Sequence, residues 1–174
     1  MLLRLDELNG FKSDLERYKG NPKKIKDLML DWLLLAYADG VSDVVNQLGR
    51  EWSPTIERVE EVIEADVGGM TVDERVDQDI YLEDYEALIG LAENERQRVY
   101  NTASYDTATA VGAKTKTWHT MEDNKVRDTH EYIDRMTKPI DEPFYTYTGD
   151  SAMYPQGFGD AANNINCRCW LTYT

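Results

Sequence analysis

The sequence predicts an α+β fold, with a helical N-terminal half over residues 1–110 and a small mixed unit with a short antiparallel sheet over 111–174. Three observations lead there. Apolar residues recur at three- and four-residue steps through the first part of the chain, which is the helical period. After Gly112 the pattern changes to alternation rich in Thr and aromatics, the period of a strand. The last eight or so residues alternate again, and the stretch between the two carries Pro139, Pro143, Pro155 and three glycines, as loops do.

Leu5, Leu8, Phe11, Leu15 and Tyr18 form the stripe of a first helix that Gly20 closes. Asn21-Pro22 opens a second, with Asn capping the free amides and Pro at the first helical position. Through Ile25, Leu28, Met29, Trp32, Leu33 and Leu35 this helix is apolar around much of its circumference, and Gly40 is expected to end or bend it before Val41, Val44, Val45 and Leu48. Ser53-Pro54 signals another start, with Ile56, Val59 and Ile63 as a narrow stripe that Gly68-Gly69 terminates. Thr71 and Glu74 have capping-box spacing. They open a long segment with Tyr81, Tyr85, Leu88, Ile89, Ala92 and Val99 as its buried side, helical to about Ala110 with a break expected near Gly90. Lys114–Met121 reads as a strand, Glu122–Lys125 as a turn, Val126–Met136 as a short helix, 139–165 as loop with an extended piece at Phe144–Tyr147, and Asn166–Tyr173 as a final strand.

The net charge of −14 is unevenly distributed. Residues 1–50 carry eight acidic and eight basic side chains; 51–95 carry fifteen acidic and two basic, Arg58 and Arg75; 96–174 carry ten and nine. An acidic stretch of that kind repels nucleic acid, whose binding rests on Lys and Arg displacing counterions. Lys114, Lys116, Lys125, Arg127, Arg135, Lys138 and Arg168, with Trp118, Tyr132, Tyr145, Tyr147 and Trp170 among them, are the one plausible nucleic-acid surface, and DNA contact is not favoured. No run of apolar residues reaches membrane-spanning length, and the opening MLLRLDELNGF lacks the apolar core of a cleavable leader. The two cysteines, Cys167 and Cys169, would lie on one face of a strand, with Cα atoms roughly 6.5–7 Å apart, at the limit for a disulfide. Free, buried thiols in a reducing compartment are expected.

Several short motifs follow one another in the second half. Glu95-Arg-Gln-Arg-Val-Tyr-Asn101 leads into Lys116-Thr-Trp118, then Asp123-x3-Arg127-x2-His130, the loop Tyr154-Pro-Gln-Gly-Phe-Gly159, and Asn163-Asn-Ile-Asn-Cys-Arg-Cys169. In this order and spacing they resemble the C-terminal region of the Mu F-like phage head morphogenesis proteins, over residues 90–174. Pro155-Gln156-Gly157 departs from the Pro-Gly more usual in that loop. The resemblance implies a structural minor head protein, made in the bacterial host cytoplasm and ending in the virion, acting in head assembly at the portal vertex or in DNA packaging or ejection. Its partners would be the portal and other head proteins, with no cofactor and no catalytic role. A minority of such regions are fused to toxin domains, and these 174 residues are expected to leave no room for one.

Lys116, Trp118, Asp123, Arg127, His130, Asn166, Cys167, Arg168 and Cys169 are the family-motif residues, and they are read as structural. Asp123, Arg127 and His130 share a helix face by spacing. A hydrogen-bonded latch is favoured over an acid–base cluster, with Asp123 capping the helix and pairing with Arg127, and His130 tied to the final strand. His130, Cys167 and Cys169 could supply three metal ligands, with His119 or Asp123 as a fourth, in a metal-dependent nuclease. The spacing is not that of a zinc finger, and no metal is expected. Trp32, Leu33, Leu34, Leu35 and Tyr37 crowd more apolar surface onto one helix than a single-sided core uses, and are read as a portal or self-association contact.

Overall fold

The computed structural model describes the backbone of residues 5–174 and the side chains from Glu7 onward. Five helices lead: α1 (Leu5–Tyr18), α2 (Pro22–Leu48), α3 (Ile56–Ile63), α4 (Val72–Tyr81) and α5 (Tyr85–Ala110). Then come β1 (Thr115–His119), α6 (Asp128–Glu131), β2 (Thr137–Pro139), β3 (Phe144–Tyr145), β4 (Ser151–Ala152), α7 (Ala161–Asn164) and β5 (Trp170–Tyr173). The helical half followed by a small antiparallel sheet is the α+β arrangement that the change of period predicts.

Local chemistry sets the helix starts. The Asn21 side chain accepts from the Lys24 amide, Asp84 accepts from Ala87, and Thr71 and Glu74 close a full capping box. Thr55, not Ser53, caps α3, one residue beyond Pro54. Leu8, Phe11 and Leu15 are buried as the α1 stripe predicts, while the side chain of Leu5 and residues 1–4 lie outside the described residues. Ile56, expected in the α3 stripe, is exposed; Val62 and Ile63 carry the burial there.

Two glycines behave differently from expectation. The helix α2 runs through Gly40 without a break, because Gly40 is where α2 and α5 cross: a Cβ there would sit 2.5 Å from the Tyr100 carbonyl oxygen. The chain does not break at Gly90 either. It breaks at Leu82–Asp84, where Glu83 takes a left-handed φ of 54°, so α4 and α5 are separate helices and Tyr81 is exposed.

Strand β1 is central in the sheet order β2-β1-β5, antiparallel to both, with Trp118 opposite Leu171 and Lys116 opposite Tyr173. The pairs β3 and β4 form a separate hairpin. One core gathers α1–α5 around Trp32, Leu33, Leu88 and Val99; a second gathers Val44, Ala108, Trp118, Ile133, Phe144, Phe158, both cysteines, Leu171 and Tyr173. Helices α2 and α5 contribute to both. Among the described residues no helix is long and apolar enough to cross a membrane.

Candidate functional site

The motif residues converge around Trp118. Its position in β1 points it inward, opposite Leu171, and its fully buried ring meets Phe144 at 5.2 Å, Phe158 at 5.7 Å and His130 at 5.7 Å, centroid to centroid. His130 stacks face to face on Phe158 at 5.3 Å. Its Nδ1 lies 3.6 Å from Cys167 Sγ and 3.4 Å from Cys169 Sγ, and all three residues are buried.

Cys167 and Cys169 precede β5 rather than lying in it, yet the alternation holds: Cys167, Cys169, Leu171 and Tyr173 are all buried, as one strand face would be. Asn166 takes a left-handed φ of 57°, a conformation Asn tolerates, and so turns the chain that aims Cys167 inward. The Cys169 thiol hydrogen-bonds to Cys167 and, with His130, holds the Cys167 thiol well below its ordinary pKa, while Cys169 itself is pushed up by the same contact and by burial.

Asp123, Arg127 and His130 do tie α6 down, but with different partners from those the spacing suggests. Asp123 does not cap α6, whose N-cap is Arg127. It accepts the Lys125 amide at 3.0 Å and pairs with Arg168 through two hydrogen bonds of 2.7 and 2.8 Å. Arg127 donates to the Ile165 carbonyl. His130 reaches the cysteine side chains rather than the strand backbone. Helix α6 spans four residues because the chain then turns through left-handed Arg135 into β2, a strand with no clear sequence signal. The other fourth-ligand candidate, His119, faces away on the opposite side of β1, bonded to Thr172 and stacked on Trp170.

One polar face of α5 holds this assembly: Gln97 and Asn101 stand in the sequence motif with no role assigned to them there, and Asn94 lies just outside it. Asn94 accepts the Asn166 amide at 2.8 Å and Gln156 Nε2 at 3.1 Å, while Gln97 and Asn101 both donate to the Cys169 carbonyl, at 3.0 and 3.2 Å. Positions 94, 97 and 101 share a face at steps of three and four, so the helical period could have exposed them. The opposite face carries Glu95, fully buried between Arg98 at 2.6 Å and Arg75 at 3.0 Å, and Arg98 also caps the Val62 and Ile63 carbonyls at the end of α3.

Of the residues read as a partner contact, Trp32, Leu33 and Tyr37 lie in the core, with Trp32 donating to the Ala92 carbonyl; Leu34 and Leu35 are exposed, beside exposed Leu30.

The profile of the family described as "Phage Mu protein F like protein" matches residues 51–172, from α3 through β5. The chain belongs to the phage Mu F-like family. The match runs well upstream of the motif region and takes in α3, α4 and the whole of α5, so the helix that grips the Cys169 carbonyl belongs to the family's unit. The Mu F-like family is one of phage head morphogenesis proteins. A curated relative, the NAD(+)--arginine ADP-ribosyltransferase EFV of Enterococcus faecalis (strain ATCC 700802 / V583), is 33% identical over 89 residues, covering 49% of this chain and 18% of that protein. The chain thus spans about a fifth of the length of that relative. No solved structure matches the chain.

Proposed function

We propose that this Mu F-like protein is a minor head protein that joins the portal vertex during head assembly, with residues 1–110 as the docking part and 111–174 as a rigid unit built on the family motif. The family match over 51–172 carries this reading. The site geometry supports a structural role: the Cys–His constellation that could make a nucleophile is 1–3% exposed, whereas nucleophilic catalysis needs a thiolate that a substrate can reach. Around it, Asp123 is taken up by Arg168 and Arg127 by the Ile165 carbonyl.

Leu30, Leu34 and Leu35 supply the docking patch. They lie within two turns of α2 and are 41–59% exposed, whereas Ile25, Met29, Trp32, Leu33, Tyr37 and Val44 of that helix are buried and Leu28 and Val41 pack against the first core. Leu34→Asp combined with Leu35→Asp should leave the circular dichroism and melting temperature within a degree or two, since neither side chain is in the core. The same pair should abolish co-sedimentation with portal-containing procapsids. Normal incorporation of a folded double variant would overturn the docking assignment.

A further inference from the structure

We infer that His130, Cys167 and Cys169 bind one zinc ion, which cross-links α6 to the chain just before β5. The three donor atoms lie within 4.8 Å of one another, and all three residues are buried. Zinc binds imidazole nitrogen at about 2.0–2.1 Å and thiolate sulfur at about 2.3 Å, so neighbouring corners of its tetrahedron put N and S about 3.6 Å apart. The structure has 3.4 and 3.6 Å for the two pairs.

A neutral imidazole nitrogen has one lone pair or one proton to offer, so Nδ1 serves one thiol, and the other is left to its neighbouring sulfur, a weak donor and acceptor. A metal satisfies all three donors at once. The donor set selects the ion: two thiolates and an imidazole suit zinc and exclude calcium and magnesium, which take oxygen.

The frame around the three is built to hold them in place. Left-handed Asn166 turns the chain ahead of Cys167, the Cys169 carbonyl is held by Gln97 and Asn101, and the His130 ring is fixed by Phe158 on its face and the edge of Trp118. Aromatic packing here replaces the usual hydrogen bond to the second ring nitrogen, since Nε2 is buried without a partner among the described residues. A cavity of about 10 Å³ beside His130 and Cys169, lined also by Met121, Arg127 and Asn166, has room for one water as the fourth ligand. On binding, the two S–H bonds ionise, the sulfurs donate to the metal, and both protons pass to solvent.

The sequence holds no second close pair of ligands, so its spacing is not that of a zinc finger. The fold supplies the third ligand from 37 residues away by docking α6 on the cysteine segment. Such a cross-link spans the loop-rich stretch between α6 and β5, where little regular structure fixes the chain, and closing a loop of that length in the unfolded state is what makes a clip stabilising.

Wild-type protein reduced, loaded with zinc sulfate and dialysed exhaustively should hold one equivalent of zinc by elemental analysis. Cobalt(II) in its place should give a thiolate-to-metal charge-transfer band and the strong visible bands of a tetrahedral site. Cys167→Ser should weaken the charge-transfer band, and His130→Ala should remove the stoichiometric metal. If those variants fail to fold, the wild-type protein still decides: a chelator should lower its melting temperature, and added zinc should restore it. Less than about a tenth of an equivalent after loading, or cobalt bands unchanged in Cys167→Ser, would overturn the site. None of these readouts depends on head assembly, so they fail or succeed separately from the docking assignment.

Discussion

Lys116 is fully buried and makes no ion pair among the described residues; its ammonium lies 4.8 Å over the Tyr105 ring and 5.4 Å over that of Phe144. Burial lowers its pKa to about 8 from 10.5. The folded state therefore binds fewer protons than the unfolded state between those two values, and stability attributable to Lys116 rises as pH goes from 8 to 10.5. The full rise is on the order of 3 kcal/mol. Denaturant melts of wild type and Lys116→Met across that window should show the wild type gaining on the variant, and parallel curves would refute the assignment. Asp123 works in the other direction: its hydrogen bonds from Arg168 hold the carboxyl at about 2. Its contribution is present above the ordinary carboxylate range and is lost as pH falls through 2. Arg168→Ala should thus narrow the acid stability of the protein, read as an acid midpoint moved upward. Both residues stand in the sequence motif, yet neither role was legible there: a Lys-x-Trp strand pattern puts the lysine on the tryptophan's face without telling that it is buried there with no ion pair among the described residues, and Asp123 finds its partner 45 residues away.

At the scale of elements, the helix caps and stripes were legible because they depend on neighbours three or four positions away. The failures came where tertiary contact decided. Gly40 reads as a breaker in isolation, but its missing Cβ is what lets α2 approach α5 at Tyr100 and Ser104. Gly40→Ala should cost about 1–3 kcal/mol by overpacking, even though alanine is the better helix former. Helix content that stays normal while the melting temperature falls several degrees is the expected result, and an unchanged or higher melting temperature would show that the crossing relaxes. Glu95 offers a harder test of the same helix. It is fully buried with two arginines upon it, so Glu95→Ala strands Arg98 and Arg75 near the end of α3. Breaking a buried pair from one side costs roughly 3–5 kcal/mol. A thermal melt should show a loss of roughly 10 °C for a chain of this size. A loss of one or two degrees would mean that the arginines find carbonyls enough without it.

Across the whole molecule, the sequence changes charge near residue 95 and period near residue 110, but the structure does not divide cleanly at either. Helix α5 belongs to both cores: Ala92 and Val99 pack in the first, Ala108 in the second, and α2 does the same through Leu33 and Val44. The polar row of Asn94, Gln97 and Asn101 then fastens the cysteine segment to the outside of that shared helix. A change of residue pattern marks where the element type changes, while cooperativity follows the buried contacts, which no local pattern records. Two cores joined through continuous helices cannot lose one without exposing the flank of the other, so unfolding should be a single transition. Trp32 reports the first core and Trp118 the second, so with Trp52 and Trp170 replaced by Phe, variants keeping one or the other supply separate fluorescence probes. Their denaturation midpoints should coincide with each other and with the loss of far-ultraviolet circular dichroism. In the combined Gln97→Ala and Asn101→Ala variant, the Cys169 carbonyl loses both donors near the second core, and the Trp118 probe should unfold first. Midpoints that already differ in the protein with its α5 row intact would show that the helical half and the motif unit fold apart, and that residues 111–174 are tied to α5 more weakly than these hydrogen bonds imply.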